Sequence, residues 1–148
     1  MSVITIEEAK LHQRIDHDDE DLDIQSKLDA AESMVAQFLG RYFYKDESDL
    51  TSAFNQIDQI QERFATEQLA LQNLIEFDES LYSGLVKQKR RDADRVISMI
   101  VNGIIFNSQI RAGILLTFGY LYETREDTED LPQSAKNVIQ PYRIGLGV

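Results

Sequence analysis

The 148-residue chain has no cysteine. That absence removes disulfides, thiolate catalysis, cysteine zinc sites and iron–sulfur clusters together. Proline does not occur before Pro132, and only seven glycines are present. No flexible linker, low-complexity tract or repeat follows from such a composition. Basic residues are scarce: 15 stand against 26 acidic ones, for a net charge of −11. A chain this acidic is a poor general nucleic-acid binder, because phosphate binding depends on counterion release by Lys and Arg. It favours solubility and basic partners. Long apolar runs are missing too. The most apolar stretch, Val96 to Tyr122, is interrupted by Asn102, Asn107, Ser108, Gln109 and Arg111, whereas a membrane span needs about 20 mostly apolar residues. No membrane association is expected. The opening Met-Ser-Val-Ile-Thr lacks a basic-then-apolar leader, so no secretory signal is expected.

What remains is helical pattern. With 43% hydrophobic residues the chain can bury a core, and its length fits one domain spanning residues 1–148. Thr5 followed by Glu8 is a capping-box pattern and predicts a short helix from about Ile6 to Arg14. A second helix is expected from Asp18 or Asp19 to about Leu39, because Ile24, Leu28, Ala31, Val35, Phe38 and Tyr42 recur in steps of four and three. Gly40 and Arg41 suit its C-terminal end. From Asp46 to about Asp94 the pattern is helical again, with Asp46 or Ser48 as the cap. Its seam runs through Ala53, Ile57, Ile60, Phe64, Leu71, Leu74, Leu81 and Leu85, but Glu67 and Asp78 occupy expected apolar slots. Either a hairpin broken near Phe77–Ser80 or one long helix, partly exposed until a neighbour covers it, fits this pattern.

The stretch "RVISMIVNGIIF", Arg95 to Phe106, is rich in β-branched residues. It predicts an extended segment near 96–106 or a small hairpin turning at Asn102–Gly103. Asn107 or Ser108 then caps a helix through about Arg125. Ile110, Ile114, Leu115, Leu116, Phe118 and Leu121 make it apolar around most of its circumference, which predicts the central core helix. Gly113 and Gly119 within it cost roughly 1 kcal/mol each relative to Ala and point to close approach by another element. Thr124–Asp130 reads as a charged loop, Leu131-Pro132 as the start of a short last helix and Pro141 as its stop. The expected fold is all-α: a small antiparallel helical bundle with a core from 1–44 and 108–140, a helical insertion at 46–95 and a tail at 141–148.

Six of the eight residues from Asp16 to Asp23 are acidic, which raises the question of a metal site. A calcium loop needs oxygen ligands at positions 1, 3 and 5, Gly at 6 and Glu at 12. Counting from Asp16 puts Asp21 and Lys27 at the last two positions; counting from Asp19 puts Ile24 and Ala30 there. Neither register works. Acidic residues at a helix start are favoured by the dipole and the free backbone N–H groups, and that is the reading adopted. His12 and His17 are five apart and do not make the His-x-x-x-His pair of a helical zinc site. No Gly-x-Ser-x-Gly elbow, Walker loop or Gly-x-Gly-x-x-Gly occurs. Glu123 is the best single catalytic candidate, and a helix-end acid paired with Arg125 or another Arg accounts for it more simply. No enzyme, metal or cofactor is expected. The run "KQKRRDADR", Lys87 to Arg95, carries five cations and two acids. It reads as a solvated helix end, a phosphate contact or a patch complementary to an acidic surface on another copy.

Four pieces stand in order: "ITIEEAKLHQRIDHDDEDLDI" (Ile4–Ile24), "FLGRYFY" (Phe38–Tyr44), "IRAGILLTFGYLYETRED" (Ile110–Asp127) and "LPQSAKNVIQPYRIG" (Leu131–Gly145). Together they resemble the head–tail connector (head-completion adaptor) proteins of long-tailed double-stranded-DNA bacteriophages and their prophages. Lys45–Gln109 carries no matching motif. The resemblance implies a small all-helical structural protein at the head–tail junction of the virion, assembled in the host cytoplasm. It implies a homo-oligomeric ring of about a dozen copies beneath the portal protein. Such a ring extends the DNA channel, holds DNA without sequence-specific binding, and offers a platform to later completion or tail proteins. The positions matching the portal-gripping segment are Pro141, Tyr142, Arg143 and Ile144, and the tail after Pro141 is expected to be loosely held in the free subunit. In a ring, Lys87, Lys89, Arg90, Arg91 and Arg95 would face an acidic surface of the adjacent subunit, with Asp16, Asp18 and Asp19 the first candidates. The rival reading is a stand-alone acidic helical adaptor or inhibitor that binds a basic protein.

Overall fold

The computed structural model describes residues 2–124 and 130–144, and the protein is all-α. Its helices are α1 (Ile6–Gln13), α2 (Asp21–Leu39), α3 (Glu47–Phe54), α4 (Ile57–Ala70), α5 (Glu79–Val101), α6 (Ser108–Glu123) and α7 (Gln133–Ile139). Two short strands, β1 (Phe43–Tyr44) and β2 (Ile104–Ile105), pair in parallel.

Helix α6 sets the core. Ile110, Ile114 and Phe118 recur every fourth residue and are fully buried. The α2 stripe of Ile24, Leu28, Ala31, Val35 and Leu39 joins the same cluster, as do Ala135 and Ile139 of α7. The broadest contacts in the fold are those of α6 with α2 and α7. Each large apolar side chain buried this way contributes about 1.5–3 kcal/mol. Phe38 is only partly buried, and Tyr42 lies beyond the helix. The close approach anticipated at the α6 glycines is present: a Cβ at Gly113 would strike the Ile139 side chain, and one at Gly119 would strike Gln13. Thr117 is buried among these residues, and its hydroxyl donates to the Gly113 carbonyl at 2.8 Å. No polar atom is stranded there.

Caps fix the helix boundaries. Thr5 Oγ1 accepts from the Glu8 amide at 3.2 Å, Asp46 from Asp49 at 2.9 Å and Asp78 from Leu81 at 2.9 Å. Asn107 accepts from Gln109 and Ile110, both at 3.0 Å. Gly40 ends α2 in the left-handed region at φ +71°, with its N–H on the Ala36 carbonyl at 3.0 Å. Helix α2 starts at Asp21 rather than at Asp18 or Asp19. Pro132 stands just before α7, and Pro141 sits within a 3-10 turn, Gln140–Tyr142, that follows it.

The middle of the chain is a hairpin. Helices α4 and α5 pack together, joined by residues 71–78, which include a 3-10 turn at Gln72–Leu74. The break therefore begins before Phe77, and a second one at Asn55–Gln56 separates α3 from α4. This arm is lightly tied to the body. Helix α4 has no buried residue, and α5 buries only Met99 and Ile100 near its far end. At the tip Leu69, Ile75 and Leu81 are exposed, and Phe77 is 85% exposed.

Arg95–Phe106 departs from the extended expectation. Arg95 to Val101 continues α5, and Asn102–Gly103 ends that helix instead of turning a hairpin. Burial of Met99 and Ile100 outweighs the weak strand preference of the β-branched residues. Only Ile104–Ile105 is strand, and its partner is the distant Phe43–Tyr44. The Ile104 amide donates to Tyr42 O at 3.0 Å and Phe106 to Tyr44 O at 2.8 Å.

Two glycines give opposite stability predictions. Gly113→Ala drives a methyl into Ile139, and the overpacking should destabilise by roughly 1–3 kcal/mol. Gly84 in α5 has nothing within 4 Å of an added Cβ, so Gly84→Ala should stabilise by about 0.5–1 kcal/mol. Urea unfolding of the two variants checks both signs. A neutral Gly113→Ala would show that the α6–α7 contact yields to a methyl.

Candidate assembly surfaces

The acidic segment is built on α1 as much as on α2. Lys10 reaches from α1 to Asp18 at 2.5 Å and Asp21 at 2.6 Å. Lys10 thus holds Asp18 in the α1–α2 connection and reaches Asp21, the first residue of α2. The Lys10 ammonium holds the Asp18 carboxyl below its ordinary value, and Asp18, followed by Asp21, raises Lys10 above its own. Glu20 accepts a hydrogen bond from Tyr122 Oη at 2.8 Å, which raises the tyrosine pKa. Asp23 pairs with Lys27 at 2.5 Å, and Lys27 also lies 5.4 Å from the Tyr122 ring centre. Asp16 and Asp19 are exposed and make no ion pair among the described residues. Leu22 stands in their midst, 90% exposed. Among the described residues, no group of three His, Asp or Glu side chains is placed to hold a metal ion.

The cations of α5 divide into two sets. Lys89 pairs with Glu67 of α4 at 3.1 Å, while Arg90 pairs with Asp94 at 3.2 Å and lies 5.4 Å from the Phe64 ring. These two tie the hairpin together, and Glu67, which interrupts the apolar seam, has a partner there. Lys87, Arg91 and Arg95 make no ion pair among the described residues. Arg91 and Arg95 instead line a groove with Arg143. Within the chain, no described ion pair joins Asp16–Asp23 to Lys87–Arg95.

The tail corrects one expectation. Through Ile144 it is held on the body: the Ile144 amide donates to Leu39 O at 2.9 Å, and Tyr142 Oη donates to Gln109 Oε1. The Arg143 guanidinium lies 4.8 Å from the Phe38 ring centre. Pro141 is exposed. Residues 145–148 lie outside the described residues, as does most of the charged loop (125–129), including the Arg125 suggested as partner for Glu123; Glu123 itself is exposed.

A chain with surfaces of this kind, and with a hairpin standing off its core, is suited to assembly. The sequence pattern of the phage gp6-like head–tail connector proteins matches residues 3–83, just over half of the chain. The chain belongs to that family. The matched residues run from α1 through α4 into the first turn of α5. They include the acidic segment and much of the hairpin, where no motif had been read. Arg91, Arg95, Arg143 and the two C-terminal pieces of the sequence resemblance lie beyond them. No curated protein and no solved structure matches this connector. Its role is that of a structural protein of phage head–tail connection. No described helix is long and apolar enough to cross a membrane.

Sequence reasoning missed Leu22, although it falls off the Ile24–Leu28 stripe, and missed Lys10 as the residue that gathers the acids. The second point is directly measurable. A carboxyl that titrates low in the folded chain adds stability above its ordinary 3.8 and loses it as the pH falls below that value. Lys10→Met should return Asp18 towards its ordinary value in a carboxyl-carbon NMR titration. An unchanged titration would assign the depression to other charges.

Proposed function

We propose that this connector is one subunit of a closed ring of about a dozen copies that joins the portal of the phage head to completion and tail proteins and extends the DNA channel. Beyond family membership, the hairpin carries this reading. Helix α4 has no fully buried residue in its own subunit, and the arm ends in exposed Leu69, Ile75, Phe77 and Leu81. An apolar tip of this kind calls for a covering surface, and in a ring the next subunit provides one. The segment 46–95 then acts as an arm on a single domain. The net charge of −11 suits a conduit through which DNA passes without being held.

In this reading Lys87, Lys89, Arg90, Arg91 and Arg95 meet the acidic end of a neighbour, around Asp16, Asp18 and Asp19. Lys89 and Arg90 contribute less directly, since Glu67 and Asp94 already engage them. The portal contact is assigned to Pro141, Tyr142, Arg143 and Ile144. Because Tyr142–Ile144 are fastened to Gln109, Phe38 and Leu39, the portal would receive an ordered turn, which lowers the entropy cost of binding.

Native mass measurement and electron microscopy of the purified protein, alone and with portal, test the ring. Closed rings of about a dozen copies are expected. A monomer or dimer under both conditions would favour the stand-alone acidic adaptor. Deleting Tyr142–Val148 should abolish portal binding and also destabilise the subunit by roughly 1–2 kcal/mol, through loss of the Phe38 and Leu39 contacts. An unchanged thermal melt would show that the turn adds nothing to the body.

A further inference from the structure

Where arm meets body, the C-terminal end of α2, helix α5 and the tail enclose a groove of about 510 Å³. Phe38, Met99 and Ile144 give it an apolar lining, and Arg91, Arg95 and Arg143 give it cations. Arg91 and Arg95 are one helical turn apart on the same face of α5. Neither makes an ion pair among the described residues. Arg143 is stacked on Phe38, which leaves its N–H groups for a partner. Asp94 also lines the groove, but Arg90 engages it at 3.2 Å. An apolar floor among three guanidinium groups is the chemistry that receives an acidic segment bearing one apolar side chain.

The chain carries such a segment. In Asp19-Glu20-Asp21-Leu22-Asp23 the leucine is 90% exposed, while the neighbouring Ile24 is fully buried in the body. Leu22 cannot reach the groove of its own subunit. It lies in the first turn of α2 and Phe38 in the last, a separation of roughly 24 Å along the helix. A second copy must supply it.

We infer that the groove receives Leu22 of a second copy, with that copy's Asp19, which makes no ion pair among the described residues, set against Arg91, Arg95 and Arg143. This rests on the ring reading and names its joint. Knob and groove are different surfaces at opposite ends of α2, so in a ring the contact is heterologous and copies add head to tail until it closes. Arg143 and Ile144 form part of the groove wall, which sets the portal-docking turn beside the joint between subunits.

The test uses two full-length variants, Leu22→Glu and the double variant Arg91→Glu/Arg95→Glu. All three side chains are exposed, so both variants should melt like the parent. In sedimentation velocity and electron microscopy the parent should form rings. Each variant alone spoils one half of every joint and should lose about tenfold or more in association constant. An equimolar mixture retains one good joint, the Leu22 of the Arg91→Glu/Arg95→Glu variant in the intact groove of the other. Heterodimers should therefore form and grow no further. Rings formed by Leu22→Glu, or a mixture that stays monomeric after each variant has lost assembly, would overturn the inference and leave the ring reading standing. A parent that is monomeric with and without portal would overturn both.

Discussion

The packing of α6 between α2 and α7 is the contact on which the rest of the molecule depends. Ile110, Ile114 and Phe118 present one apolar face to the α2 stripe, and Gly113 lets Ile139 of α7 come close on another side. With those three helices in place, α1 is fastened from both ends of its length. Arg111 of α6 pairs with Glu8 at 2.6 Å, and Gln13 lies against Gly119. The chain start is fixed in turn, because Glu32 of α2 accepts from the Val3 and Ile4 amides at 3.0 and 3.2 Å. The arm has no comparable anchor. It joins this body through the parallel strand pair, the Tyr42 amide on Met99 O at 3.1 Å, and the burial of Met99 and Ile100.

Charge follows the same division. Cations that contact the body are used to order acids: Lys10 for Asp18 and Asp21, Lys27 for Asp23, Lys136 for Asp130. On the arm, Lys89 and Arg90 hold α4 to α5. Such exposed pairs are individually weak, so their effect is to fix where charge stands more than to hold the fold. Asp16 and Asp19 remain at one end of α2, and Arg91 and Arg95 stand near the other. On the ring reading these two sets would face each other across the joint between subunits.

Periodicity made the body legible. The Ile24–Leu28–Ala31–Val35 stripe, the Asn107 cap and the two tight glycines of α6 could all be read from spacing, because local geometry and burial agree there. The failures have physical causes. Helix α5 runs through Val101 since tertiary burial of Met99 and Ile100 overrides β-branched preference. Helix α2 starts late since Lys10, eight residues from Asp18, holds that carboxylate outside the helix. The tail is held by Leu39 and Gln109, partners that no local pattern indicates. The groove was invisible for the same reason. It draws on α2, α5 and the tail, which only the folded chain brings together, so its cations could be read as a patch for another copy but its apolar lining could not.

On the ring reading the body is complete within one subunit while the arm is completed by neighbours. Native-state hydrogen exchange, read for the dissociated subunit and again for the assembled form, tests this most directly. In the dissociated subunit, amides of α2 and α6 should exchange only through global unfolding, and those of α4 and the first half of α5 through a much cheaper local opening. Assembly should slow exchange in the arm and leave the body unchanged. Equal protection of α4 and α6 in the dissociated subunit, or an arm whose exchange assembly does not alter, would rule out that division between body and arm.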